Sequence, residues 1–401
     1  MITITFTGDI LAYHNLIAKS RRKGKYDFSN VFSCVKSLFS RSSYVVGNLE
    51  SPIAGKKYGY TQMDMLFNAP PEFAVAAKNA GFNMVTTANN HCTDKGMVGV
   101  DETLKNLSKI GLDHTGISLK VNDKNYIVKL IDGVKIAFIS YTYGTNPNVN
   151  GYDLSEEDKL RINITREQEK AYKRVWYKQL LVDFIYSLPK NMQDRIHPLY
   201  PNHPYQDNVS ESAISNPANK RYIDRMKATI CAAKTEADIV IFCLHSGGQF
   251  NNELGSYTKY LLNEIKSCGV DAIICNHPHC VLGSELVDGC FVAYSLGNFS
   301  FTPGEGYFID GVLGEYGIVL HLDIDKKIKR VRYSIIKNVR TEDGREQVLP
   351  VAVLQNRLKT ESEKTRLLED CKSVVKRFTN GKSTITEITD SYLLYELNNN
   401  R

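Results

Sequence analysis

Residues 271–280 read DAIICNHPHC, an apolar run that ends in His277, Pro278 and His279. Pro278 fixes its own φ and restricts the residue before it, so two imidazoles one residue apart are presented stiffly and can point at neighbouring metals. The run ahead of them reads as a buried strand. That puts the pair just past a strand's carboxyl end, where ligand sites gather in open α/β sheets. Alone, the triplet also fits a tight turn carrying two surface histidines. What decides between the two is recurrence of the same event along the chain.

Working outward, residues 1–9 (MITITFTGD) alternate as a strand and stop at Asp9, and residues 44–50 (YVVGNLE) stop at Glu50. Residues 82–91 (FNMVTTANNH) end in Asn89, Asn90 and His91, residues 238–245 (DIVIFCLH) in His245, and residues 291–298 (FVAYSLGN) in Asn298. Between these runs the apolar spacing predicts helices over 27–40, 70–80, 99–110, 221–235 and 257–267, and a hairpin over 125–141. Strands are expected at 317–324 and 328–339, then helices over 353–377 and 384–398. The expected organisation is one domain over 1–340 and a C-terminal helical extension over 341–401. Residues 142–219 are richer in Asn, Tyr, Pro and charge and read as an insertion over one side of the site. A helix is expected there over 166–188, with Trp176 in it and with Arg161, Arg166, Lys170 and Lys173 available to an anion.

Composition sets outer bounds. The chain has 401 residues, 42% hydrophobic and 23% charged, which is ordinary for a globular protein. A formal charge of +6 permits an anionic substrate and does not point to nucleic acid. No apolar segment reaches the length of a membrane span. The first strand lacks the basic start and long apolar core of a signal peptide. Nine cysteines, an odd number placed mostly in apolar elements, are the usage of a reduced, cytoplasmic protein.

Carboxylates, an amide oxygen and imidazoles at successive strand ends suit divalent cations such as manganese, iron, zinc or magnesium. A carboxylate such as Glu50 can bridge two ions, and two ions can clamp an in-line displacement.

The blocks Gly8-Asp9, Asn48-Leu49-Glu50-Ser51-Pro52, Ala88-Asn89-Asn90-His91, His245-Ser246-Gly247, His277-Pro278-His279 and Ser295-Leu296-Gly297-Asn298-Phe299 carry a resemblance. In this order they resemble the bacterial capsule-synthesis CapA family, poly-γ-glutamate synthesis proteins related to calcineurin-like metallophosphoesterases. The resemblance covers about residues 1–305. It implies a four-layer α/β/β/α sandwich with one or two divalent metal ions at the strand tips. By motif position, Asp9 and His279 would hold one ion, Asn90, His245 and His277 the second, and Glu50 would bridge. His91 would be the proton donor, oriented by Asp94. Asn89 and Asn298 would lie at the substrate, or Asn298 would support a histidine.

Departures from the pattern are local. Leu11 stands where the phosphoesterase pattern has a histidine, which leaves the first site a ligand short. Ser246, Gln249-Phe250 and Asn276 replace residues common in the family, and so change the pocket wall. The resemblance implies a metal-dependent hydrolase acting on an anionic phosphoester or γ-glutamyl-type polymer. The alternative is a non-catalytic component of capsule assembly that grips polyglutamate carboxylates through the metal. A degenerate scaffold without metal is a third reading.

Overall fold

The computed structural model describes residues 1–62, 65–171, 184, 188, 192, 208–302 and 311–397. Its layering follows from strands that are apolar on both faces. In β7 (Ile239–His245), Ile239, Ile241 and Cys243 join the core between the two sheets, while Val240, Phe242 and Leu244 pack under helices. In β2 (Tyr44–Leu49), Tyr44 and Val46 face inward, and Val45 and Leu49 face the helices of the other side. A period of two with both sets apolar is the pattern of a strand covered on both faces.

One sheet is built on β1 (Ile2–Ile10), with β2, β3 (Met84–Thr86) and β4 (Asp113–Thr115) parallel on one side. The second contains the hairpin of β5 (Tyr126–Ile131) and β6 (Val134–Thr142), then β7, β8 (Ala272–Asn276), β10 (Cys290–Ala293) and, at the far edge, β9 (Ser284–Val287). Strand β11 (Asn298–Ser300) returns to the first sheet beside β1. There β12 (Tyr316–Asp325), β13 (Lys327–Arg340) and β14 (Glu346–Pro350) continue it antiparallel. Helices α1 (Pro71–Ala80) and α2 (Gly96–Ile110) cover the first sheet. Helices α3 (Lys220–Glu236) and α4 (Ser256–Ser267) cover the second. The result is the expected α/β/β/α sandwich.

Several expected elements differ. Residues 291–298 are not one strand: β10 stops at Ala293 in one sheet and β11 starts at Asn298 in the other. The crossing places Gly297 in the left-handed region, φ 71°, with its carbonyl accepting from the Asp9 amide at 3.0 Å. Of residues 27–40 only Lys36–Phe39 is helical. Asp27 accepts from the Ser29 amide, and short turns close between Phe28 and Val31 and between Phe32 and Val35. The helical spacing correctly marked which side chains bury, but the aspartate's local bond favours a turn over a helix start. Residues 82–91 keep three strand residues and then turn. The helix expected over 166–188 has no helical start, since residues 166–171 are irregular, and most of the rest, Trp176 included, lies outside the described residues.

The tail expected to be helical is only partly so. Residues 353–377 fall in two helices, Val351–Gln355 and α5 (Glu361–Phe378). Thr360 and Glu363 close a capping box at the start of α5. Its Leu367, Cys371, Val374, Val375 and Phe378 form one stripe in the inter-sheet core. Residues 384–398 contain a strand, β15 (Tyr392–Glu396), which pairs with β13. Tyr392, Leu394 and Tyr395 gain packing on that sheet edge that an isolated helix would not give them. All nine cysteines are unpaired.

Two outcomes follow. A Cβ on Gly8 would lie 1.9 Å from the Gly297 carbonyl oxygen, backbone that cannot step aside. Gly8→Ala should therefore lower stability by at least about 1–3 kcal/mol, read as a fall in the urea midpoint. His321 is buried between Thr5 and Ser334 hydroxyls at 2.8 and 3.3 Å. Burial first, then the Arg332 charge, pushes it down to about 4. The unfolded chain takes up that proton near pH 6.5 and the native state does not, so stability is full above 6.5 and falls as pH drops toward 4. The contribution is about 3 kcal/mol over that window. Urea midpoints at pH 7 and pH 5 should converge in His321→Gln.

Candidate metal centre

The carboxyl ends of the parallel strands meet at one edge of the sandwich. Asp9 pairs in register with Asn48 on one side and with Asn298 on the other. His245, the last residue of β7, pairs with Asn276, and the chain then turns through His277, Pro278 and His279. His277 and His279 adopt φ of 110° and 53°, a region that side chains other than glycine rarely occupy. The His277 amide donates to the Asp9 carboxylate across the two sheets at 3.2 Å. The proline between the two histidines and this bond together hold the strained turn.

Every expected ligand is buried: Asp9, Glu50, Asn90, His245, His277 and His279 are each 3% exposed or less. Asp9 lies 3.3 Å from His279 Nδ1. His245 Nε2 lies 2.7 Å from Asn90 Oδ1, 3.1 Å from His277 Nδ1 and 3.3 Å from Glu50 Oε1. Glu50 Oε1 also lies 3.7 Å from His279 Nε2. Two overlapping triads emerge, Glu50 with His277 and His279, and Asp9 with Glu50 and His245. Within each, the donor atoms lie within 4.8 Å of one another. Glu50 is common to both.

Glu50 supplies the test of fit. Both of its carboxylate oxygens are buried and neither has a hydrogen-bond partner. Leaving a buried ionised carboxylate uncompensated costs several kcal/mol. A ring of oxygen and imidazole donors around such a group suits a divalent cation.

The surrounding charges sort the imidazoles. Burial alone lifts the Asp9 carboxyl, but its His279 hydrogen bond and the His279 and His245 charges hold it below the ordinary value. Burial disfavours the His279 cation, yet Glu50 and Asp9 carry it up to about 9. Burial, then repulsion from His245, His279 and His91, holds His277 well below an ordinary imidazole. His277 is therefore neutral at pH 7, the form that ligates metals.

His91 stands beside this cluster. Its Nδ1 bonds Asp94 Oδ2 at 2.8 Å, and the same oxygen accepts from the Phe67 amide at 2.7 Å. The Phe67 ring packs edge-on against the imidazole at 4.6 Å. Burial opposes the His91 cation, but the Asp94 charge and bond outweigh it and raise its pKa. Asn89 and Asn298, expected at the substrate, have their amides engaged within the protein. Asn89 donates to the Leu49 carbonyl and accepts from the His91 amide. Asn298 contacts His279 Nδ1 at 3.0 Å and donates to the His279 and Gly314 carbonyls.

Sequence reasoning passed over other residues here. Asn48 donates to Asp9 at 2.7 Å and lies 3.2 Å from His245 Nδ1. It sits two residues before Glu50, so strand alternation places both on one face and was an available signal. Asn146 approaches His91 Nε2 at 3.5 Å, and Asn208 approaches His277 Nε2 at 2.5 Å. Both belong to the insertion, where no periodicity marks them. Of the basic residues expected over the site, Arg161 pairs with Asp101 and Arg166 with Glu169, while Lys173 lies outside the described residues. Leu11, where a further histidine was looked for, fills an apolar wall with Tyr13, Phe67, Phe250 and Phe301.

Residues 3–303 match the family model described as bacterial capsule synthesis protein PGA_cap. The PGA biosynthesis protein CapA of Bacillus subtilis is 24% identical over 319 residues, covering 79% of this chain and 67% of that protein. The capsule biosynthesis protein CapA of Bacillus anthracis is likewise 24% identical over 319 residues, 79% of this chain and 63% of that protein. An uncharacterized protein of Sinorhizobium fredii, y4sH, is 24% identical over 247 residues, 58% of this chain and 52% of that one. The chain thus spans roughly two thirds of the length of the two CapA proteins. With six motif blocks in family order and a metallophosphoesterase-like sandwich that gathers them at one edge, this chain belongs to the bacterial capsule synthesis family.

Proposed function

We propose that this chain is a divalent-metal-dependent hydrolase acting on an anionic substrate, a phosphoester or a γ-glutamyl-type polymer, in capsule or poly-γ-glutamate metabolism. The observation that carries the reading is the unpartnered, buried Glu50 carboxylate ringed by Asp9, His245, His277 and His279, with the His91–Asp94 pair beside it. Asp9 and His279 would hold one ion, Asn90, His245 and His277 a second, and Glu50 would serve both. The cation, one of Mn, Zn, Fe or Mg, supplies charge neutralisation and a water of lowered pKa when bound.

The protein's own groups divide the remaining work. Asp94 fixes the His91 ring and favours its protonated form, so His91 holds a proton at Nε2 for the leaving-group oxygen. Asn48 orients Asp9, and Asn298 braces His279. The buried walls formed by Leu11, Phe67, Phe250 and Phe301 keep water from the ligands and strengthen each charge interaction. The two CapA relatives are named as biosynthesis proteins, which favours a second reading, a metal-dependent polyglutamate-binding component that performs no hydrolysis. Such a component has no use for a proton donor.

His91→Ala decides between the two. Its turnover should fall about 10²–10⁴-fold with metal content unchanged, and by less for substrates with good leaving groups. A variant that loses metal instead exchanges the roles of Asn90 and His91. Unchanged polymer binding without any turnover in the wild type supports the assembly reading.

The two ion sites should also be unequal. By motif position one would have Asn90, His245, His277 and Glu50 and the other only Asp9, His279 and Glu50, a division that cuts across the two close triads, in which His277 stands with His279 and Asp9 with His245. Elemental analysis should find between one and two ions, the weaker restored by added manganese or zinc. His277→Ala should empty the tight site, Asp9→Ala the weak one, and Glu50→Gln should impair both.

A further inference from the structure

The insertion touches the cluster through residues near its two ends, and these meet on one histidine. Tyr143, just past β6, donates its amide to the His245 carbonyl at 3.0 Å, and its ring lies 5.0 Å from that of His277. Asn208, near the other end, donates its amide to the Gly247 carbonyl at 3.3 Å. Both are thus pinned to the loop that leaves the tip of β7. From there the Asn208 side-chain Nδ2 lies 2.5 Å from His277 Nε2 and 3.1 Å from the Tyr143 hydroxyl. Asn208 itself is exposed, so only its amide reaches the buried ring.

The metal reading decides which end of that amide faces the imidazole, since with either end the ring's single proton finds an acceptor, His245 Nε2 at 3.1 Å from Nδ1 or the amide oxygen at Nε2. A neutral histidine carries one ring proton. With Nδ2 toward Nε2, Nε2 must accept, the proton sits on Nδ1, and no lone pair points at His245 and the rest of the cluster. A half-turn about the Cβ–Cγ bond puts Oδ1 in the same place. Oδ1 then accepts from both Nε2–H and the Tyr143 hydroxyl, and Nδ1 keeps its lone pair inward. A ligating histidine held through its other nitrogen by an oxygen acceptor is the general arrangement around bound metals.

We infer that Asn208, supported by Tyr143, is a positioning residue for His277, its amide oxygen fixing the tautomer that leaves Nδ1 to a metal. The inference rests on the metal reading above. It assigns the insertion a part in metal affinity that its sequence does not announce. Because Asn208 is exposed and only its side-chain amide reaches inward, its truncation should leave the fold intact.

The test uses the full chain with Mn²⁺ as probe, in competition with a chromogenic chelator, on wild type, Asn208→Ala, Asn208→Asp and Tyr143→Phe. Asn208→Ala should weaken the tight site about 10–100-fold. Asn208→Asp, which keeps the acceptor, should bind close to wild type, and Tyr143→Phe should fall between. Long-range ¹⁵N–¹H spectra of metal-free, histidine-labelled protein should show His277 protonated at Nε2 in wild type and mixed in Asn208→Ala. Unchanged Mn²⁺ affinity in Asn208→Ala, Asn208→Asp as weak as the alanine variant, or an Nδ1–H tautomer in wild type would each overturn the inference. A wild type that takes up no Mn²⁺ overturns the metal reading, and the tautomer measurement then still decides the brace.

Discussion

A carboxylate without a hydrogen bond, in the floor of a closed cluster, is the constraint around which this protein is arranged. Glu50 is fully buried, and its near neighbours are imidazoles and another carboxylate. Asp9 adds a second carboxylate, and against burial the two acids raise the His279 pKa, so that a cation held there would take the place of that proton. Burial, and after it the nearness of His245, His279 and His91, keeps His277 neutral. The cluster therefore joins two carboxylates to the uncharged imidazole of His277, a donor set that suits a divalent cation.

The sandwich holds that donor set together by bringing two sheets to one edge. Asp9, Asn48 and Glu50 come from the first sheet and its ends, whereas His245, His277 and His279 come from the second. The two halves are joined where the chain crosses between sheets at residues 294–297. There Gly8 and Gly297 let backbones approach more closely than any side chain permits. Packing at these glycines seats β11 beside β1 and so aligns Asn298 with Asp9 at the tip of the first sheet.

Around this centre the protein uses amides where charges would compete with a cation. Asn48, Asn90, Asn208 and Asn298 each approach a histidine of the cluster. Amides fix ring orientation without adding net charge, so in the proposed site the charges of Asp9 and Glu50 would be left for an ion. Asp94 is the exception. It favours the cation of His91, which stands to the side and, in the proposed hydrolase, would deliver a proton.

The sequence by itself determined the apolar strands, their order and the residues that stand at their tips, while the sandwich was implied by the family resemblance that those tips carry. Strand and tip are each local: a run with apolar residues on both faces, followed at once by a carboxylate, amide or imidazole, needs no partner to be read. Asp9, Glu50, Asn90, His91, His245, His277 and His279 were legible for that reason. Elements whose stability comes from distant neighbours were not. The strand at Tyr392–Glu396 exists because β13 offers it an edge, and residues 27–40 turn instead of coiling because Asp27 bonds its own backbone. The break between Ala293 and Asn298 follows from the need to reach the other sheet. Only the tertiary structure decided that Asn89 and Asn298 have their amides engaged within the protein, that Leu11 closes an apolar wall, and that Asn208 comes back from a long insertion to stand on His277. Spacing along a chain records which face a residue takes on its own element, and carries no information about which residue of another element will meet it there.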